Sequence, residues 1–290
     1  MEYKYIQCKS PLNKVKGNYP YYWDLNIYRG CFHRCQYCYA LYSHQYLDDD
    51  NFFETIYIKE NIIEQLEKKL SSKSWKKEAI NIGSVCDSYQ PIEKKLELMR
   101  AVLKLMIKYE NPIIISTKST LILRDIDLIN ELSKLTYVSV ALTITSCSDK
   151  LNKLIEPNVP SYQERFAVLK TLKEKTNAQV GLHMMPVIPY LSCDERSIEQ
   201  LFKLAKEVNV DYVIVGLLHL RSQTKKHFLS FLAQELPDYY DLIYNYFNDK
   251  KIKTEYKKDY YQKLKYLIKK YDINLDYTKH DYNNKQLSLF

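Results

Sequence analysis

With 290 residues and a mass of 34.6 kDa, the chain is long enough for one large α/β domain of barrel type or for two smaller domains. No segment approaches about 18 consecutive apolar residues, which excludes a transmembrane helix, and residues 1–17 lack the apolar segment of a secretory signal. The seven cysteines are odd in number and unevenly spread, which is not typical of a disulfide framework, so we expect a cytoplasmic protein.

Short apolar segments alternate with amphipathic segments along most of the chain. The apolar segments are rich in Val, Ile and Tyr and nearly unbroken, as expected for buried parallel strands. They predict six strands at 25–30, 79–84, 112–117, 137–144, 179–188 and 211–218. The amphipathic segments predict five helices at 60–70, 93–109, 125–135, 162–175 and 197–208. Ser161 and Asp194 are the expected N-caps of the last two helices.

Six strand–helix repeats predict a parallel sheet with right-handed crossovers. Since a full barrel has eight repeats, six favour an α/β fold with an open, partial (β/α)6 barrel and a helical C-terminal extension. We predict the barrel at 1–220, the helical extension at 221–282 and a flexible tail at 283–290. In such folds the functional residues gather at the carboxyl ends of the strands.

Three of the cysteines, Cys31, Cys35 and Cys38, lie within eight residues, directly after the first predicted strand. A 4Fe–4S cluster normally takes four thiolates, one for each iron. Three thiolates leave one iron with an open position, which suits the amine and carboxylate of S-adenosylmethionine (SAM). The alternative is a zinc site that adds His33 to the three cysteines, since zinc accepts such a set of ligands.

The spacing C-x3-C-x2-C, with an aromatic residue before the third cysteine, resembles the radical SAM superfamily. Three further segments are similar to its spore photoproduct lyase group, often labelled DNA repair photolyase-like: DSYQPIE (87–93), EPNVPSYQER (156–165) and HMMPVIP (183–189). The resemblance extends from about Leu25 to the end of the chain. It implies a radical SAM enzyme that generates a 5′-deoxyadenosyl radical and acts on nucleic acid, by repair of a DNA lesion or by modification.

The resemblance also implies roles for individual residues. Cys31, Cys35 and Cys38 are expected to ligate the 4Fe–4S cluster, and the rings of Tyr37 and Tyr39 to pack against the cluster and the adenine of SAM. The other expected SAM contacts are Asp87 to the ribose hydroxyls, Lys118 to the methionyl carboxylate, Thr143 and His183.

Other interpretations of these residues stay open from the sequence alone. Asp87 is also placed to cap the helix that begins near Pro91. His183 lies in an apolar strand, where a hydrogen-bonded core histidine is the alternative. Glu156 and Arg165 are interpreted as a structural pair that fixes a loop.

Cys86 is a hypothetical hydrogen-atom donor. The lyase carries such a cysteine in the loop after the second strand, but here the cysteine is directly beside Asp87, which is a different register. This departure puts repair of the spore type in doubt for this chain. The alternative substrates for the same radical chemistry are RNA, a peptide or a metabolite.

The C-terminal part of the chain points to a nucleic-acid partner. From Arg221 onward there are 14 Lys or Arg and nine Asp or Glu, so this part of the chain contributes +5 of the formal net charge of +8. Tyrosines at 256, 260, 261 and 266 are expected to stack on bases while lysines at 257, 258 and 263 contact phosphates. The last five residues, QLSLF, look like a sliding-clamp peptide, with Gln286, Leu287, Leu289 and Phe290 as anchors. A zinc-stabilised adaptor bound to the clamp is the non-enzymatic alternative.

Overall fold

A seven-stranded sheet forms the centre of the protein. The computed structural model describes residues 1–17, 19–47, 49, 51–192 and 194–276, with the side chains of Gln45 and Tyr46 left out. The strands are β1 (Glu2–Ile6), β2 (Leu12–Lys14), β3 (Trp23–Leu25), β4 (Tyr28–Arg29), β5 (Thr55–Lys59), β6 (Ile80–Ile82), β7 (Ile113–Thr117), β8 (Val138–Thr143), β9 (Gln179–Val187) and β10 (Tyr212–Leu217). The large sheet has the order β10-β9-β8-β7-β6-β3-β2. Its first six members are parallel, and β2 runs antiparallel to β3 at one edge.

Helices follow the parallel strands and cover the sheet. They are α1 (Ile62–Leu70), α2 (Glu93–Leu96), α3 (Leu98–Tyr109), α4 (Ile126–Leu135), α5 (Asp149–Ile155), α6 (Tyr162–Lys175), α7 (Glu195–Val208), α8 (Ser222–Glu235), α9 (Tyr240–Asn248) and α10 (Lys250–Tyr271). Both predicted N-caps are confirmed, because Ser161 caps α6 with a full capping box and the Asp194 side chain accepts a hydrogen bond from Ser197 N–H.

The predicted partial (β/α)6 barrel is confirmed. Five of the six predicted strands have both ends within two residues of β6 to β10, and four of the five predicted helices match as closely. Val140, Leu142 and Leu182 have no exposed surface. Burial of both faces of the central strands explains why the sequence gives continuous apolar segments there rather than alternation.

The first predicted strand, 25–30, is wrong as a single element. Leu25, at its start, is the last residue of β3 in the large sheet. Tyr28–Arg29 forms β4 in a separate three-stranded sheet of order β1-β5-β4. Asn26 lies between the two. Its side chain donates to Ser84 Oγ at 2.9 Å and accepts from Val85 N–H at 3.0 Å, so it links the turn to the loop after β6.

The predicted helix 93–109 is divided at Glu97, which has a left-handed backbone with φ of 50°. The fully buried Glu93 fixes the break. Its carboxylate accepts from Met99 N–H at 2.9 Å, near the start of α3, and from the Tyr28 hydroxyl at 2.6 Å. Arg124 completes this buried network through an ion pair of 2.8 Å with Glu93.

The C-terminal helices pack directly on the barrel. α10 lies against α7 and α9, and after it Asn274 accepts from Val213 N–H at 2.8 Å, so the chain returns to the edge strand β10. Within the described ranges no helix is long and apolar enough to cross a membrane. The whole predicted tail, 283–290, with the sliding-clamp peptide at 286–290, lies outside the residues that the structure describes.

The expected base-stacking role of Tyr260 is wrong, because its side chain is only 4% exposed. Its ring stacks on that of Tyr256 with 6.4 Å between centroids, and Tyr256 in turn contacts Tyr190 and Tyr246. Tyr261 and Tyr266 are exposed on the outer face of α10. Helical spacing alone does not separate Tyr256 and Tyr260 from the exposed Tyr261 and Tyr266, because tyrosines occur on both faces of α10.

Candidate active site

The three clustered cysteines lie in one loop, residues 30–38, which follows β4 and is called the cysteine loop below. It begins at Gly30, whose φ is +84°; an added Cβ there would approach Thr55 O to 2.2 Å, so only glycine fits. Cys31 and Cys35 are 9% and 7% exposed, and Cys38 is partly buried. Segments that follow β6, β8 and β10 all contact the loop, so the loop is at the carboxyl ends of the barrel strands, as predicted.

Two of these segments hold the loop through its backbone. Gln90, fully buried, accepts from Phe32 N–H at 3.0 Å and donates to Gly30 O at 3.3 Å. Asn158 donates to Phe32 O at 2.8 Å, and Ile155 O accepts from Gln36 N–H at 2.9 Å. Gln90 and Asn158 belong to the DSYQPIE and EPNVPSYQER segments, so those signatures act here by shaping the cysteine loop.

The C-terminal helix α8 holds the other side of the loop. Thr224 donates to Cys38 O at 3.1 Å, and a ring nitrogen of His227 lies 2.9 Å from the Gln36 side-chain oxygen. Cys35 and Tyr37 also share an apolar cluster with residues from α8 and from the segment between β10 and α8, among them Leu220 and Phe228. The helical extension is therefore part of the site's wall.

The three thiols of the cysteine loop all have raised pKa values. Burial raises the pKa of each to about 12, and a neighbouring thiol contributes to the rise each time: Cys38 for Cys31, Cys31 for Cys35, and Cys35 for Cys38. Thiolates are disfavoured in such a buried group unless a cation compensates them. Iron binds cysteine as the thiolate, so this donor set fits an iron–sulfur cluster.

The zinc alternative needs His33 beside the three cysteines, and the position of that side chain does not favour it. In the part of the chain that the structure describes, no three His, Cys, Asp or Glu side chains surround a point at the distances of a single metal ion. His33 turns instead to Asp87, with 3.4 Å between Nδ1 and Oδ2. A cubane cluster distributes its thiolates over separate irons.

Asp87 is at the centre of a buried hydrogen-bond network after β6. Its carboxylate accepts from the Thr117 hydroxyl at 2.7 and 2.9 Å, from Lys118 N–H at 2.7 Å and from Tyr89 N–H at 2.9 Å. With His33 also alongside, Asp87 connects the cysteine loop to the end of β7. Contact between Asp87 and ribose hydroxyls stays a prediction, because its oxygens already have partners within the protein.

A second buried network lies beneath Tyr37. The Tyr37 hydroxyl donates to Glu156, and Glu156 forms an ion pair of 3.0 Å with Arg165, both side chains being fully buried. Arg165 also donates to Thr143 O at 2.7 Å. The predicted Glu156–Arg165 pair is confirmed, and it fixes both the aromatic ring of the cysteine motif and the end of β8.

Lys118 lies at the end of β7 with its ammonium facing these networks. Nζ is 5.7 Å from the centre of the Tyr37 ring, and no hydrogen bond or ion pair engages it among the described residues. Burial lowers the pKa of Lys118, but Cys35, Glu156 and Asp87 outweigh burial, so the pKa is raised. The charged lysine is thus available to an anion next to the three thiols.

His183 and Thr143 are neighbours in register on β9 and β8, on the same side as Lys118. His183 is buried; Nδ1 lies 3.5 Å from Ser116 Oγ, and Nε2 has no hydrogen-bond partner in the described part. Burial and the nearby Lys118 lower the pKa of His183 to about 4. A neutral imidazole with a free nitrogen suits a ligand contact better than a fully satisfied core position.

The remaining two predicted residues differ in their surroundings. Tyr39 is 57% exposed and its hydroxyl donates to Ser84 O, so this ring covers the loop after β6 from outside. Cys86 is buried, with Sγ 3.2 Å from Tyr28 O, and burial together with Cys31 raises its pKa. Cys86 directly precedes Asp87, which contacts His33, so the thiol follows β6 close to the cysteine loop.

Sequence reasoning missed Gln90, Asn158, Thr224 and His227 as residues that hold the loop. Gln90 and Asn158 belong to segments that carry the family resemblance, so membership in those segments was a signal that could have identified them. Nothing in the sequence marks Thr224 or His227, since each contacts a residue more than 180 positions earlier.

Comparison with known proteins assigns the chain to a family. The radical SAM superfamily profile matches residues 25–205. An uncharacterized protein of Mycobacterium tuberculosis is 32% identical over 240 residues, which cover 80% of this chain and 70% of that protein. An uncharacterized protein of Methanocaldococcus jannaschii is 33% identical over 268 residues, covering 92% and 93%. The chain belongs to the radical SAM superfamily.

The fold is similar to that of spore photoproduct lyase. The solved structure of that enzyme complexed with dinucleoside spore photoproduct has a TM-score of 0.62 and 14% sequence identity. The match covers 80% of this chain and 66% of the lyase chain, so the chain spans slightly less than two thirds of the lyase. Members of the superfamily are enzymes that bind a 4Fe–4S cluster and SAM.

Proposed function

We propose that this radical SAM enzyme acts on nucleic acid, and on DNA in particular. The observation that carries the proposal is the position of α10, which has nine lysines and two acidic residues in 22 positions. Its residue Tyr256 contacts Tyr190, after β9, so a lysine-rich helix lies beside the carboxyl ends of the barrel strands. The similar fold of spore photoproduct lyase, solved with a dinucleoside photoproduct, supports the same substrate class.

The residues of the cysteine loop and the strand ends are proposed to hold the two cofactors. Cys31, Cys35 and Cys38 hold the cluster, and α8 with Gln90 and Asn158 keeps their backbone in place. When bound there, a reduced cluster would supply one electron to the sulfonium of SAM, and cleavage of its C–S bond would give methionine and a 5′-deoxyadenosyl radical. The apolar residues around Cys35 and Tyr37 exclude water from that chemistry.

The proposed SAM contacts are divided between two sides of the site. Lys118 binds the methionyl carboxylate, since its ammonium lies close to the thiols. Thr143 and the free Nε2 of His183 offer polar contacts across the barrel, and Tyr37 and Tyr39 offer ring faces. Asp87 retains its predicted contact with the ribose hydroxyls, next to its role in positioning Lys118 and His33.

Lys118→Met should weaken SAM binding by roughly 10- to 100-fold, because a charge-assisted contact to a carboxylate contributes about 1.5–3 kcal/mol. Equilibrium dialysis with the anaerobically reconstituted protein measures this change. Lys134→Met, an exposed lysine on α4, is the control and should bind SAM like the wild type. Unchanged affinity in Lys118→Met, with cluster content intact, would exclude the carboxylate contact.

Cys86 is proposed as the hydrogen-atom donor to a substrate radical, because it directly precedes Asp87, whose carboxylate lies 3.4 Å from His33 of the cysteine loop. In Cys86→Ala we expect a lower product yield and an altered return of deuterium from SAM that is labelled at the 5′ carbon. Mass spectrometry of recovered SAM and product checks both. If neither changes, the thiol has no part in hydrogen transfer.

The nucleic-acid substrate is tested by SAM turnover. The reconstituted enzyme is reduced with dithionite and incubated with SAM alone or with single-stranded DNA, duplex DNA, RNA, peptides or metabolites, and 5′-deoxyadenosine is followed by mass spectrometry. We expect DNA to increase its release. Equal release with and without every nucleic acid would reject the proposal, and stimulation by RNA alone would move the substrate to RNA.

A further inference from the structure

Four basic residues gather where the last barrel strand ends. His219 and Arg221 follow β10, and Lys253 and Lys257 belong to the first half of α10; we call these four residues the basic cluster. The Nε atom of Arg221 lies 2.6 Å from Nε2 of His219. Burial, together with Arg221, Lys253 and Lys257, lowers the pKa of His219. Tyr256 lies between the two lysines on α10, and its hydroxyl accepts from Tyr190 N–H at 3.4 Å, just after β9, which is the neighbour of β10 in the sheet.

The basic cluster borders the cysteine loop. Leu218 and Leu220, which alternate with His219 and Arg221, share an apolar cluster with Cys35 and Tyr37. Three positions after Arg221, Thr224 donates to Cys38 O. Leu218 and Leu220 are thus buried on the side of the cysteines, and the alternating His219 and Arg221 are exposed on the outside of the same wall.

The positive charge of the cluster is not compensated within the described residues. Arg221, Lys253 and Lys257 form no ion pair there, whereas Lys263 and Lys270, farther along α10, pair with Asp259 and Glu199. Lys253 lies 5.6 Å from the centre of the Tyr246 ring and 5.7 Å from that of Phe247, so aromatic faces, not carboxylates, support its ammonium.

The arrangement matches an extended polyanion. Lys253 and Lys257 are four residues apart, which is about 6 Å along a helix and on one face of it. Arg221 adds a planar fork that suits the oxygens of a phosphate, and lysines add point charges at the neighbouring positions. A single small anion would contact only part of the set formed by Arg221, Lys253 and Lys257.

We propose that the basic cluster binds the phosphodiester backbone of the nucleic acid beside the nucleotide that enters the barrel. The proposal rests on the proposed function and adds to it the surface that orients the substrate strand. Cations placed at the rim of the site bind phosphates on either side of the reacting nucleotide, so one nucleotide is presented to the cofactors while its neighbours stay outside.

The test compares two triple variants of equal charge. Arg221→Gln/Lys253→Gln/Lys257→Gln removes the cations of the cluster, and Lys68→Gln/Lys104→Gln/Lys134→Gln removes three exposed lysines on α1, α3 and α4. Anisotropy of fluorescent single-stranded DNA, duplex DNA and RNA is measured with the full reconstituted protein over a series of KCl concentrations. SAM affinity of each variant is measured in parallel.

In the cluster variant we expect the slope of log affinity against log salt to become less steep by about 2 for single strands and about 3 for duplexes. SAM affinity should stay at the wild-type value, and the control variant should keep most of its slope. If both triple variants lose the same slope, the cluster is not a binding surface, although the proposed function stands. A wild-type protein that binds none of the three nucleic acids even at low salt rejects the proposed function itself.

Discussion

Cys35→Ala is expected to abolish iron binding and with it the release of 5′-deoxyadenosine. Cys35 is buried between Cys31 and Cys38, and only two thiolates remain in the loop without it. Two ligands cannot hold a cubane cluster against loss of iron to solvent. Iron and zinc content after anaerobic reconstitution, the brown absorbance of the cluster and SAM turnover give three independent readouts.

Cys147→Ala is the matched control for this prediction. Cys147 is a free, partly buried cysteine in the loop after β8, so its removal changes the thiol count without touching the cysteine loop. The control should load about four irons per chain, as the wild type should. One zinc and no colour in the wild-type protein, or full iron loading in Cys35→Ala, would contradict the assignment of the cluster.

Glu156→Gln is expected to destabilise the fold by about 3–5 kcal/mol, the usual effect of removing one partner of a buried ion pair. Arg165 is fully buried and would keep its charge without a counterion, and the Tyr37 hydroxyl would lose its carboxylate acceptor. The free energy of unfolding in urea measures the change. Glu174→Gln on α6 breaks an exposed pair with Lys170 and should change stability by less than about 0.5 kcal/mol.

The same pair gives a pH dependence with a defined sign. Burial raises the pKa of Glu156, but Arg165, Lys118 and the Tyr37 hydroxyl lower it more, so it lies below the ordinary value of 4.5. A carboxylate with a lowered pKa stabilises the protein above 4.5, and that stabilisation is lost as the pH falls through the folded-state pKa. The stability difference between wild type and Glu156→Gln should therefore be constant near neutral pH and shrink below 4.5. A difference that grows on acidification would contradict the pair's charge state.

The sequence predicts the barrel well because local patterns determine it. Continuous apolar strands and amphipathic helices need no distant information, and five strands and four helices match within two residues. The break at Glu97 was missed because it depends on Glu93, whose burial comes from contacts with Tyr28 and Arg124. The sheet of β1, β4 and β5 was also missed. β5 is buried at every position, but β1 is mostly exposed and its sequence EYKYI gives no apolar face.

The candidate site is also predictable from the sequence only in part. The spacing of Cys31, Cys35 and Cys38 indicated the cluster, and polar residues at strand ends such as Lys118 pointed to SAM. The residues that hold the loop are recognisable only in three dimensions, since Gln90 and Asn158 bind backbone atoms 58 and 126 positions away. Asp87 illustrates the limit most clearly, because a strand-end carboxylate has the same sequence signature whether it faces a ligand or joins two loops.

The two longest-range contacts of the cysteine loop also set an order of events during translation. Thr224 and His227 are made 186 and 191 residues after Cys38 and Gln36, the partners they hold. A ribosome that adds about 5–20 residues per second needs about 10–40 s for that distance. Throughout that interval the nascent cysteine loop lacks its contacts with α8, so the wall of the site is complete only after that helix is synthesised.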